Sequence, residues 1–310
     1  MYHPYFRGKQ FDLITIRETA NLMASSNFVP IIEPVRETLN GLEKTLDAIC
    51  DAKGKAIVII NPLYGDHSND GQCISQLLRE KYLSRINISA GILLHEGLSV
   101  AESLDYLNEH KDHNPCLVHA GFAEPKLLSE KIDVKINKNI FLEQHCGKLY
   151  RKHFKGCERV LIRDGFKKRR NADYPELEEF SDLHITFSEE DMDGFGDFLI
   201  VGDDYSIGGG PAYAVAIHIT FIDENKDDVM YIYHFVSTTK DTPTDPAGKF
   251  GQALDKLINK LDNSNSHVYE TRAILEFRAL HNKGHFPGLG TVKKLSMIHH
   301  IETLSIYLQG

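Results

Sequence analysis

Tryptophan is absent from this 310-residue chain, and cysteine is sparse, with five residues at no recognisable spacing. An odd, unpatterned set argues against a disulfide scaffold and fits reduced thiols in a cytoplasmic protein. Positive charge is in deficit: 35 Lys and Arg stand against 44 Asp and Glu, for a net charge of −9. Broad nucleic-acid binding, which relies on clustered cations meeting phosphates, is therefore not expected. Long apolar runs are missing too. No segment approaches the roughly 18 apolar residues of a transmembrane helix. The opening Met1-Tyr2-His3-Pro4-Tyr5-Phe6-Arg7-Gly8-Lys9 has no signal-peptide core, so no membrane role is expected.

What is present is an ordinary globular composition, 42% hydrophobic and 25% charged, with a strand-then-helix period. Leu13, Ile16, Ala20 and Met23 recur at helical spacing and predict a helix over 10–24. Buried-strand runs follow at 28–35, 56–60, 88–94, 115–118, 139–142, 159–162 and 198–201. They are continuously apolar rather than alternating, as in parallel strands covered on both faces. Helical segments lie between several of them, and Ser99 with Glu102 forms a capping box at the start of one. About seven such units, with another following, point to an α/β TIM-like barrel.

The last third departs from this period. Segments 214–221 and 230–236 flank a short polar turn and read as an antiparallel hairpin, so that the barrel is either irregular or closes through this hairpin. Helices are expected at 247–261, 267–281 and 293–308. The whole chain, 1–310, reads as one TIM-barrel-like domain. It comprises an N-terminal segment and helix (1–27), barrel strands and hairpin (28–240) and C-terminal helices (241–310).

In such barrels the site lies at the carboxyl ends of the strands. Those ends offer Glu33, Asn61, His95, His119, Glu143, Arg163, Asp164 and Asp203. Glu33, His95, His119, Glu143 and Asp203 are the catalytic candidates, as acid–base groups or ligands of a divalent metal ion that activates water. Arg163 is an anion clamp, joined by the glycines Gly208, Gly209 and Gly210, whose N–H groups suit a phosphate. The competing reading makes each polar residue a solvated strand boundary and the glycines a turn. Lys167-Lys168-Arg169-Arg170 reads as a solvated loop, with a phosphate or partner contact as the alternative. His145, Cys146, His153 and Cys157 lack a zinc-site spacing, and His218 and His234 read as hydrogen-bonded core histidines.

The opening residues 1–14, with Val29-Pro30-Ile31-Ile32-Glu33-Pro34-Val35, resemble an uncharacterised bacterial family related to the Beta protein of satellite phages. Gly208-Gly209-Gly210 leading to Ala214-Val215-Ala216-Ile217-His218, and His234-Phe235-Val236-Ser237 leading to Lys249-Phe250, extend the resemblance over nearly the whole chain. The resemblance implies a component of phage-defence or mobile-element gene clusters, acting on a nuclease-like protein encoded nearby, as in a toxin–immunity pair. It implies no catalytic residues. The alternative taken from the strand ends is an enzyme, a phosphodiesterase-like hydrolase of a small phosphorylated or nucleotide-like ligand.

Overall fold

The apolar runs pair as parallel strands because each is short, covered on both faces and separated from the next by a crossover. The computed structural model describes residues 1–133, 138–208, 210–263 and 265–310. Its strands are β1 (Tyr5–Phe6), β2 (Ile31–Ile32), β3 (Ala56–Ile59), β4 (Ile88–His95), β5 (Cys116–Ala120), β6 (Lys138–Leu142), β7 (Arg159–Ile162), β8 (Leu177–Ser181), β9 (Gly194–Gly196), β10 (Ala216–Asp223) and β11 (Val229–Val236). Its α-helices are α1 (Gln10–Ser25), α2 (Asn40–Asp51), α3 (Gln72–Leu77), α4 (Val100–Glu109), α5 (Pro125–Lys131), α6 (Lys148–Arg151), α7 (Leu183–Thr186), α8 (Pro246–Leu261), α9 (Arg272–Lys283) and α10 (Leu289–Gln309). The chain divides into two compact units, one of residues 1–164 with 186–198 and one of 165–185 with 199–310.

The first unit is the α/β TIM-like barrel. Its eight strands run in the order β1 to β7 and then β9, every neighbour parallel. The seam between the ends is held by a parallel bridge of Tyr2 to Phe195. Three backbone bonds reinforce it: His3 N–H to Phe195 O at 2.8 Å, Phe195 N–H to Met1 O at 3.0 Å and Tyr5 N–H to Asp197 O at 2.9 Å. Inside, Ile31, Ile57, Ile59, Leu93, Val118, Ile140, Leu142, Val160 and Ile162 form one buried cluster. Removing each such side chain from water is worth roughly 1.5–3 kcal/mol.

Two sequence expectations are corrected here. Closure comes from β1 and β9, not from the hairpin. The expected seventh strand at 198–201 is a turn, in which Leu199 takes φ +51°. Its apolar composition reflects burial, with Phe198, Leu199 and Ile200 all at most 3% exposed, and burial alone does not make a strand.

The local signals for helices are present as read. Helix α1 buries Leu13, Ile16, Ala20 and Met23. It is followed by Asn27 at φ +55°, one of the few residue types that tolerate the left-handed region. At α4 the Ser99 side chain accepts from Glu102 N–H while the Glu102 carboxylate accepts from Ser99 N–H.

The second unit contains the antiparallel sheet β10–β11–β8. The hairpin register places Ala216 opposite Val236 and His218 opposite His234. Ile217, Ile219, Phe221, Tyr233 and Phe235 share a buried cluster with Phe250, Leu254 and Leu257 of α8 and with residues of α9 and α10. Helix α8 starts at Asp245, whose carboxylate accepts from Gly248 N–H at 2.8 Å.

Candidate functional site

At the carboxyl ends of the barrel strands, polar side chains meet partners from neighbouring strands. Glu33, fully buried just after β2, accepts from Tyr5 Oη at 2.8 Å, from the Leu63 N–H at 2.9 Å and from the Arg7 guanidinium. Arg7 follows β1, and its guanidinium lies over the rings of Tyr5, Tyr64 and Phe198, 4.8–5.5 Å from their centroids. This is a buried, aromatic-walled ion pair. Arg7 escapes a reading of strand ends because β1 is only two residues long and sits beside Pro4. A basic residue one position after an aromatic pair was the available signal.

Asn61 works as an extra rung between strands: its Nδ2 donates to Leu93 O at 3.0 Å and its Oδ1 accepts from Leu93 N–H at 2.8 Å. His95, half-buried at the end of β4, accepts at Nδ1 from Gly97 N–H at 3.1 Å. Burial lowers its pKa, against the pull of Glu102. Arg163 and Glu143 form a bidentate pair at 2.6 and 3.0 Å, partly open to solvent.

His119 does not join a site in the barrel interior. Val118 belongs to the interior cluster and strand residues alternate, so His119 faces outward. There it stacks on Phe141 at 4.7 Å and Phe154 at 4.3 Å. Its Nδ1 pairs with Tyr150 Oη and its Nε2 with Asn139 Oδ1, each at 2.8 Å. Burial lowers its pKa to about 3, so it is neutral at physiological pH. None of Glu33, His95, His119 and Glu143 bonds to another of the four. Among the described residues, no three His, Cys, Asp or Glu gather as a metal site requires. In the 145–157 segment, Cys146 donates instead to the His119 carbonyl at 3.2 Å.

Asp164 is the last residue of the 1–164 stretch of the first unit, and the other candidates belong to the second. Asp203 lies in the loop after the 198–201 turn rather than at a strand end, since that strand does not form. Gly208 and Gly210 are exposed, and no described residue comes within 4 Å of where a Cβ would stand on either. Gly209 lies outside the described residues.

The hairpin histidines, read as core residues, form a chain of hydrogen bonds. His218 Nδ1 meets His234 Nδ1 at 2.7 Å, and His234 Nε2 meets Glu178 Oε1 at 3.0 Å. Arg169 pairs with the same carboxylate, its Nη2 at 2.9 Å from Oε2. Tyr174 stacks on His234 at 4.5 Å. Burial lowers His218 to about 3 and His234 to about 4. Burial also pushes Glu178 up, but Arg169 and His234 outweigh that and hold it below the ordinary carboxylate value. With Glu178 ionised, His234 donates from Nε2 and accepts at Nδ1. His218 therefore donates from Nδ1 and leaves Nε2 as a lone-pair acceptor. The signal in the sequence was positional: residues 218 and 234 are equidistant from the turn.

A cavity of about 500 Å³ in the first unit lies at the amino ends of the strands, opposite to the expected end, lined by Lys53, Lys55, Asn87, Cys116, Lys138 and Glu158. Comparison of the chain with protein-family models, curated proteins and solved structures finds no match in any of the three.

Proposed function

We propose that the chain is a component of a bacterial anti-phage defence or toxin–immunity gene cluster and acts through a protein partner, with the barrel as scaffold. The observation that carries this reading is that three of the barrel's strand-end groups are committed to the fold. Glu33 is taken up by Tyr5, Arg7 and the Leu63 amide, Asn61 by the Leu93 backbone, and His119 by Asn139 and Tyr150. A carboxylate with several donors already seated has few lone pairs left to offer a substrate or a metal ion. The resemblance to the satellite-phage Beta family supplies the context and the partner's class, a nuclease-like protein encoded nearby.

Charge is consistent with that pairing. A protein that handles nucleic acid presents cations, and a chain of net charge −9 complements such a surface and speeds encounter with it. The test is co-expression of the chain with its nuclease-like neighbour, followed by size-exclusion chromatography with mass determination. A complex of defined stoichiometry that weakens as salt rises is expected. Separate elution at low salt, together with phosphodiester turnover by the isolated chain, would overturn the proposal in favour of the hydrolase.

A further inference from the structure

The basic run and the hairpin histidine, two features that the partner reading leaves unused, meet at one cavity of the second unit. It measures about 270 Å³ and is lined on its polar side by Lys168, Arg169, Tyr174, His218 and Lys293. Ile200, Val215 and Val292 contribute apolar wall, and no Asp or Glu is among its described lining residues.

The charges do not contribute equally. Arg169 is neutralised by Glu178 and serves mainly to hold the histidine chain in place. Lys168 is exposed, donates to the Asp204 carbonyl at 3.0 Å and enters no ion pair among the described residues. Lys293, on α10, adds a second ammonium from the opposite side in sequence. With Lys168, Arg169 and Lys293 and no Asp or Glu among its described residues, the lining is basic over an apolar floor, a combination that suits an anion attached to an organic body. His218 adds direction. Its Nδ1 is engaged by His234, while its Nε2 has no hydrogen-bond partner among the described residues and is not sealed from solvent.

We propose that this cavity binds a compact phosphate monoester whose small planar body carries an N–H or O–H donor. Lys168 and Lys293 hold the phosphate. Tyr174 and the aliphatic wall hold the body, and the lone pair of His218 Nε2 accepts from its donor. The volume, just under the range of roughly 300–1,000 Å³ usual for drug-sized ligands, limits the occupant to a mononucleotide or something smaller. The inference does not depend on the partner reading, because a ligand here could bind whether or not a protein partner does.

The test is calorimetric titration of the full-length chain with adenosine monophosphate, adenosine and inorganic phosphate. The monophosphate is expected to bind at least tenfold more tightly than either fragment. In the Lys168→Ala/Lys293→Ala variant its affinity falls at least tenfold at unchanged melting temperature. Lys168→Ala alone, at an exposed position, gives a smaller loss and serves if the double variant folds poorly. His218→Phe weakens the monophosphate but leaves phosphate unaffected. Absence of binding to the folded wild-type chain overturns the proposal. Equal affinity for phosphate and monophosphate, or unchanged affinity in the lysine variants, does so as well.

Discussion

Gly196 runs so close to His3 that a Cβ on it would lie 2.0 Å from the His3 carbonyl oxygen and 2.4 Å from Ile162 Cδ1. Gly194 is in a similar position, 2.7 Å from the Met1 carbonyl. These two glycines let the last barrel strand approach the first closely enough for the seam bonds to form. Gly196→Ala should therefore destabilise the barrel by about 3 kcal/mol or more, because the obstacle is backbone that cannot swing aside. Urea unfolding followed by circular dichroism measures this, and an unchanged midpoint would refute the seam's dependence on glycine.

Glu33 and Arg7 form a buried pair, so removing one charge leaves the other without its counter-ion. Glu33→Gln should cost roughly 3–5 kcal/mol, whereas Arg7→Met/Glu33→Gln should cost clearly less than the two single changes added together. Denaturant melts of the wild type, both singles and the double close the cycle. Additive losses would mean that the two groups do not depend on each other.

The central barrel strands were legible because each is a short apolar run between polar ends. The two seam strands were not. Tyr5–Phe6 is embedded among His3, Pro4 and Arg7, and Gly194–Gly196 carries only one side chain beyond a hydrogen, that of Phe195. What makes them strands is their pairing across the chain ends, which no local pattern encodes. The converse error at 198–201 has the same origin, since an apolar run records burial and Leu199 breaks the strand geometry. At the site level, strand-end position led to Glu33, Asn61, Glu143 and Arg163, all polar side chains with partners near the strand ends. It did not reveal that Arg7 completes the first, or that His119 turns away from the barrel interior. The hairpin spacing pointed to the facing of His218 and His234, but Glu178 reaches them from a strand some forty residues earlier, which no local pattern encodes.

Several histidines tie stability to pH. Burial holds His119 and His218 at about 3, and His234 and His299 at about 4, against an ordinary value of 6.5. Below 6.5 the unfolded chain takes up protons that the folded chain refuses. Stability is thus complete above that pH and declines as pH falls toward 4. Each histidine contributes up to about 1.4 kcal/mol per pH unit inside the window. Native carboxylates with lowered pKa, such as Glu178, add a loss in the same direction only nearer 4. The unfolding free energy from urea melts is expected to drop between pH 7 and pH 5, with a shallower slope in His119→Phe. A flat profile over that interval would show that these rings are not buried neutral.

The proposal that the chain works by engaging a protein, rather than by chemistry at the strand ends, is tested most directly by growth of cells expressing the nuclease-like neighbour, alone, with the wild-type chain, or with a folded Glu143→Gln/Arg163→Gln variant. That variant removes the partly exposed charge pair at the barrel's mouth. Wild type and variant are expected to restore growth equally. Failure of the wild type to restore growth, or loss of rescue in a variant that still binds the neighbour, would contradict the proposal.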